Sequence, residues 1–244
     1  MSRSTGRVEL TPGFVLHQRP FRDTSLIVEI FTRDHGRLTT FARGARGPRP
    51  RFYGLQPFRS LLLSFSGRGE APNLTAAEPD GVAPPLPSAC LLGAFYLNEL
   101  LIRLTERHDP HPELFDAYRA ALDGLRAGLE LEALLRRFEK QLLDRVGFGV
   151  DLTVDTAGRA VEAGAYYHFL PARGVLPAAP AAAGSCPGRV LLALAAEDLI
   201  GDADDLKAAR ALLRVALDHC LEGRELSTRV VARSVAKLER THQA

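Results

Sequence analysis

The residues of this chain best suited to chemistry are arginines, and they are unevenly placed. The first 68 residues hold twelve of them, at positions 3, 7, 19, 22, 33, 37, 43, 46, 49, 51, 59 and 68, against four acids, Glu9, Asp23, Glu29 and Asp34. This surplus of eight positive charges sits in a chain whose overall charge is only +2, so the remainder, with nineteen basic and twenty-five acidic residues, is negative by six. Such asymmetry points to a polyanion surface at the front of the chain, because cations that pair with phosphates release condensed counterions. Arginine suits this role, since its planar guanidinium grips phosphate with two hydrogen bonds and stacks on bases. Aromatic residues interleave with these cations: Phe21 lies between Arg19 and Arg22, and Phe52 and Tyr53 follow Arg49 and Arg51. Flat rings beside cations bind single strands without reading their sequence. The competing reading packs Phe21 and Phe52 into the core and leaves the arginines as solvated surface.

Other chemistries lack a pattern. Gly44-Ala-Arg-Gly has neither the spacing nor the lysine of a phosphate-binding loop, and no lysine precedes Lys140. The histidines are scattered: His108 and His111 fall in a connection, His17 and His168 stand alone, and His219 lies late in the chain. No Ser/His/Asp or Cys/His set follows from spacing, and no helix carries paired metal ligands, so catalysis has no positive support. Cys90, Cys186 and Cys220 are too dispersed for a disulfide framework or a cysteine-rich zinc site and read as packed thiols. A second binding candidate is Leu134–Leu143, where Arg136, Arg137 and Lys140 sit beside Leu135, Phe138 and Leu142. A pocket edged by cations and floored by apolar groups would take an acidic peptide ending in a hydrophobic residue. The plainer alternative is an amphipathic core helix with solvated basic residues.

The elements that must position these groups change character along the chain. Residues 13–18, 25–32, 37–42, 60–65 and 73–76 read as five short strands rich in β-branched and aromatic residues. Asp34-His35-Gly36 supplies the turn of a hairpin between the second and third. Five such strands in under 80 residues suit a small closed barrel of the OB type. Arg43, Arg46, Arg49 and Arg51 fall on a Gly/Pro-rich loop with no apolar period, and Pro79–Ser88 concentrates Pro and Gly and marks a boundary. Helical periodicity then sets in, with helices expected from Ser88 to about His108, Pro112 to Gly128 and Leu131 to Val146. Residues 150–187 lack a steady period and admit one hairpin around Tyr166–Phe169. Helices return at 188–196, 203–221 and 227–240, the last capped by Ser227. With 46% hydrophobic residues a core is assured, and no apolar run reaches the roughly 20 residues of a membrane span. The amino terminus does not resemble a signal segment, and a cytoplasmic, nucleoid-associated protein is expected.

The ordered set Gly13-Phe-Val-Leu, Arg22-Asp-Thr-Ser-Leu, Phe31-Thr-Arg-Asp-His-Gly-Arg-Leu, Ala42-Arg-Gly-Ala-Arg and Leu55-Gln-Pro-Phe resembles the amino-terminal domain of the RecO family of bacterial recombination mediators. The resemblance continues through Tyr96-Leu-Asn-Glu-Leu-Leu, Glu113-Leu-Phe, Arg137-Phe-Glu-Lys-Gln-Leu-Leu, Gly147-Phe-Gly and Gly223-Arg-Glu-Leu-Ser-Thr-Arg, nearly the whole chain. It implies an α+β protein in four parts: an OB-fold barrel at 1–80, helices at 81–149, a zinc-finger-like insertion at 150–187, and helices at 188–244. It also implies a non-enzymatic protein that binds single- and double-stranded DNA and anneals complementary strands. With RecR, and in some lineages RecF, such a protein helps load RecA onto DNA coated by the single-strand-binding protein SSB. Arg19, Arg22, Arg37, Arg43, Arg46, Arg49 and Arg51 become the expected DNA contacts, and Arg136, Phe138 and Lys140 the expected contacts to the acidic, hydrophobic SSB tail. Many family members carry four zinc-binding cysteines in the insertion. Val154, Ala157, Pro177 and Pro180 stand at the matching positions here, and none can ligate zinc, so a degenerate, metal-free segment packed around Tyr166, Tyr167 and Phe169 is expected. From the residues alone, a sequence-tolerant RNA-binding barrel, an enzyme using a cleft between barrel and helices, and a pure protein adaptor remain as alternatives.

Overall fold

The computed structural model describes residues 6–242 except 47, 53, 68, 181 and 199–201, with side chains described as far as 238. The chain forms two compact units that divide after Arg126.

In the first unit, β1 (Val8–Phe21), β2 (Ser25–Thr32), β3 (Gly36–Ala42), β4 (Leu61–Ser66) and β5 (Asn73–Pro79) close into a barrel in the order β1-β2-β3-β5-β4. β1 pairs with both β2 and β4, and a parallel contact between Phe41 and Asn73 joins β3 to β5. Inward-pointing Val15, Val28, Ile30, Leu38, Leu61, Leu63 and Leu74 fill the interior, none more than 2% exposed. The expected β2–β3 hairpin forms. Gly36 takes φ +66°, and a Cβ there would lie 2.1 Å from the Asp109 carbonyl oxygen, so glycine is required by both backbone and space.

A bulge between Val15 and His17 interrupts the β1–β2 register, and the Leu16 carbonyl accepts instead from Asn98 Nδ2 at 2.8 Å. Asn98 lies on α1 (Leu91–Leu104), and its Oδ1 accepts from the buried Tyr118 hydroxyl on α2 (Pro112–Arg126). Phe14 and Phe31, an opposed pair on the outward side of β1 and β2, pack on Phe115 of α2 at ring-centroid separations of 5.3 and 5.7 Å. Without α1 and α2 these rings would face water. For that reason the first compact unit includes α1 and α2 and runs to Arg126.

The second unit contains α3 (Leu131–Arg145), β6 (Tyr166–Leu170), β7 (Gly174–Ala178), β8 (Cys186–Pro187), α4 (Gly188–Ala195), α5 (Ala203–Cys220) and α6 (Ser227–His242). Glu130 caps α3 by accepting from the amides of Glu132 and Ala133, and Asp202 caps α5 through Asp204. Residues 150–187 are more regular than their sequence suggests, because β6 pairs on one side with β7 and on the other with β8. Pro177 is tolerated because β7 is an edge strand. A closed barrel followed by a mainly helical region is the fold class expected from the sequence. No helix among the described residues is long and apolar enough to cross a membrane.

Candidate nucleic-acid interface

Strand register sorts the amino-terminal arginines. Arg19 opposes Ile27, which opposes Phe41, so these three share the outward side of β1, β2 and β3. Phe21, two residues beyond Arg19, shares that side. The rings of Phe21 and Phe41 meet across β2 with centroids 5.3 Å apart and planes 45° from parallel, and both remain part-exposed. Arg22 extends over Phe21, its guanidinium carbon 5.2 Å from the ring centroid. The basic loop after β3 folds back toward this corner: the Arg46 amide donates to the Thr24 carbonyl in the β1–β2 turn at 2.9 Å. Arg51 donates to the Thr75 carbonyl on β5 at 3.2 Å and lies 5.5 Å from the Phe52 centroid.

Arg19, Arg22, Arg43, Arg46, Arg49 and Arg51 are exposed, and none forms an ion pair with an acid among the described residues. Their charge is therefore available to an external anion. Other arginines of this region are neutralised internally: Arg7 by Glu9, and Arg33 by Asp116 and Asp34.

Arg37 corrects the sequence reading. It is 9% exposed and donates to Glu29 Oε2 at 3.2 Å, to the Thr105 hydroxyl at 3.2 Å and to the Thr105 carbonyl at 2.7 Å. Burial lowers its pKa, and the Glu29 carboxylate works against that shift. Arg37 shares its strand face with Phe41, but the chain leaving α1 covers that end, with the His108 amide donating to the Arg37 carbonyl at 2.9 Å. A phosphate cannot reach it. Phe52 is likewise a core residue, 7% exposed, whereas Phe21 is open and Phe41 was not anticipated from sequence. Arg3, Tyr53 and Arg68 lie outside the described residues.

The second candidate set divides in the same way. Phe138 is 1% exposed inside the second unit, and Arg136 is locked between Glu139 at 2.7 Å and Glu132 at 3.2 Å. Neither presents a surface to a partner. Lys140, paired with Asp144, instead edges an apolar cleft made by Leu143, Phe148, Val150, Phe169 and Leu212. Phe148 is half exposed. A Cβ on Gly149 would lie 2.5 Å from Asp144 Oδ1, so that glycine lets the loop close on α3. The signal for this cleft was Gly147-Phe-Gly, a large apolar residue outside the helical period and held between glycines.

Val154, Ala157, Pro177 and Pro180 offer no ligating atom, and no group of three or more His, Cys, Asp or Glu side chains among the described residues is arranged to hold a metal. The residues present do not fit zinc. What fastens the turn is Asp155, whose carboxylate accepts from the Ala157 amide at 2.8 Å, the Arg159 amide at 2.9 Å and Arg159 Nε at 2.8 Å. The Arg159 amide and side chain, with the Ala157 amide, hold this carboxyl below the ordinary carboxylate range despite its burial. Tyr167, 4% exposed, accepts from the Glu162 amide through its hydroxyl at 2.9 Å.

Comparison with known proteins agrees with this architecture. Residues 7–81 match the family model of the recombination protein O N-terminal domain, and residues 90–229 match that of its C-terminal domain. The chain is 45% identical over 236 residues to the DNA repair protein RecO of Cupriavidus pinatubonensis, covering 94% of this chain and 80% of that one. It is 42% identical to the protein of the same name from Thiobacillus denitrificans, covering 96% and 95%. With that from Alkalilimnicola ehrlichii the identity is 44%, covering 97% and 96%. Matched by both domain models and by relatives of this identity over almost its full length, the chain belongs to the RecO family.

Proposed function

We propose that the protein acts in DNA repair and recombination as a non-enzymatic mediator. Its barrel binds single- and double-stranded DNA, brings complementary strands together for annealing and, with RecR and RecF, helps RecA load onto SSB-coated single strands. It works in the cytoplasm, on the nucleoid, and needs no bound metal or cofactor. The observation carrying this reading is the group of exposed arginines without acidic partners among the described residues, Arg19, Arg22, Arg43, Arg46, Arg49 and Arg51, on β1, its turn and the loop after β3 of an OB-type barrel. Annealing then requires no fuel. The cations offset the repulsion between two phosphate chains, and base pairing supplies the driving free energy.

The second unit recruits SSB. The apolar end of the SSB tail enters the cleft between Phe148, Phe169 and Leu212, and its carboxylate takes the place of Asp144 on Lys140. This assignment keeps Lys140 from the sequence-derived set and sets aside Arg136 and Phe138.

The test is a titration of a single-stranded oligonucleotide at several salt concentrations, for the wild type and for a variant with Arg43, Arg46, Arg49 and Arg51 all changed to Ala. Each lost phosphate contact lowers the log–log salt slope by ~0.7, so removal of four makes it shallower by about 2.8. An unchanged slope would exclude the loop. Parallel titration with RNA of the same sequence separates a DNA mediator from an RNA-binding barrel, and an annealing assay with and without SSB separates it from an adaptor.

A further inference from the structure

The outward side of the barrel carries four aromatic rings on β1, β2 and β3, and the fold treats them in two ways. Phe14 and Phe31 are at most 1% exposed beneath α2. Phe21 and Phe41 are left part-exposed, although an open apolar pair on a strand surface gains nothing for the fold that a covered one would not. Arginines flank the pair on both sides: Arg19 and Arg22 adjoin Phe21 on β1 and its turn, and Arg43 follows Phe41 on β3. Arg46, tied to Thr24, brings the basic loop to the same corner. Arg22 also holds a left-handed backbone, φ +52°, that glycine would adopt without penalty. In that position its guanidinium lies against Phe21.

We infer that Phe21 and Phe41 form a base-stacking step that sets a preference for single strands over duplex. The inference rests on the barrel being the nucleic-acid site. Phosphates of either form reach the arginines, but only unpaired bases expose a face to a ring. Stacking is indifferent to sequence, since every base has a π-face. Once two strands pair, their bases leave the rings, and the product duplex keeps only the electrostatic contacts. Product release is thereby built into the surface that captures the substrate.

The double variant Phe21→Leu with Phe41→Leu keeps apolar cover and removes the aromatic faces. Three probes are titrated against the full chain: a mixed-base 20-nucleotide single strand, a strand of equal length with abasic residues, and a 20-base-pair duplex. The expected result is a loss of about tenfold on the mixed-base strand, less than twofold on the other two, and an unchanged salt slope on all three. An equal loss on the abasic strand or the duplex would show that the rings only support the fold. No loss on any probe would overturn the stacking step while leaving the arginine site intact, provided the fourfold arginine variant still flattens the slope. Absence of wild-type binding to every probe would remove the arginine site and the step with it. A second variant covers the case in which the leucine protein fails to fold. The chain contains no tryptophan, so Phe21→Trp introduces a single reporter whose emission should be quenched by the mixed-base strand and not by the abasic strand. Equal response to both would refute the stacking step.

Discussion

Replacing Arg37 with methionine separates the structural account from the one its charge suggests. The substitution keeps most of the side-chain volume and removes three hydrogen bonds: one to Glu29 at 3.2 Å and two to Thr105 at 3.2 and 2.7 Å. The Thr105 carbonyl loses this donor in a buried position, while Glu29 keeps Arg107 at 3.0 Å and the Thr39 hydroxyl. Breaking a buried pair costs about 3–5 kcal/mol, and the residual partners of Glu29 place the loss near the lower end, ~3 kcal/mol. For a unit of about this size each kcal/mol is worth roughly 4 °C, so the melting temperature should fall by about 12 °C. The salt slope for single-stranded DNA, measured below the melt, should not move. Changing Glu29 to leucine as well should recover none of the loss, because Glu29 already keeps Arg107 and the Thr39 hydroxyl while the Thr105 carbonyl stays without its donor. Thermal melts followed by circular dichroism, together with salt titrations, decide the matter. A variant that melts like the wild type but binds DNA with a shallower slope would place this guanidinium on the phosphates and refute the burial argument.

Three further outcomes are expected. Lys140→Ala should weaken binding of an acidic peptide with a hydrophobic carboxyl terminus by about tenfold, the worth of one charge-assisted hydrogen bond, and Asp144→Asn should tighten it by freeing Lys140; opposite signs in calorimetry would refute the cleft assignment. Because Asp155 has a folded pKa below its unfolded value, its contribution is complete above the ordinary carboxylate range and is lost as pH falls toward the folded value. Asp155→Asn should therefore lower the melting temperature at neutral pH and flatten its acid limb, and a chelator or added zinc should change neither protein; a melt that drops on chelation would contradict the carboxylate fastening. The Cys186 thiol is pushed up to about 12, by burial first and then by Asp205, and Cys220 to about 11 by burial. Maleimide at neutral pH should leave Cys186 unmodified until denaturant is added, and equal rates with and without denaturant would show that this thiol is not enclosed.

Much of the first unit was legible because its signals are local. β-branched and aromatic runs mark the five strands, Asp34-His35-Gly36 marks the hairpin, and arginine density marks the group of exposed cations. The fate of a single arginine on a strand was not legible. Arg19 and Arg37 lie on the same outward side, and only the chain leaving α1, distant in sequence, covers one and leaves the other open. On α3 the sequence spacing already carries the pairing and the burial. Arg136 has Glu132 four residues before it and Glu139 three after, the helical spacing for internal pairing. Phe138 lies in the helical period of Leu134, Leu135 and Leu142, all buried with it. Residues 150–187 hid a sheet because prolines and alanines dilute the alternation, and the pairing of β6 with both neighbours is a tertiary fact.

The helices of the first unit define the proposed nucleic-acid surface by what they cover. α2 takes Phe14 and Phe31, the end of α1 takes Arg37 and Glu29, and the corner bearing Phe21, Phe41, Arg19 and Arg22 stays open on that side of β1–β3. A barrel cut free near residue 80 would expose two further rings and a buried ion pair beside the corner. It would then bind oligonucleotides less selectively, if it folded at all. The charge distribution works in the same direction. Of the six excess acids beyond residue 68, five fall within residues 69–126, which hold four bases and nine acids, and one within 127–244, so phosphate is drawn to the amino-terminal arginines over the acidic chain that follows them in the same unit.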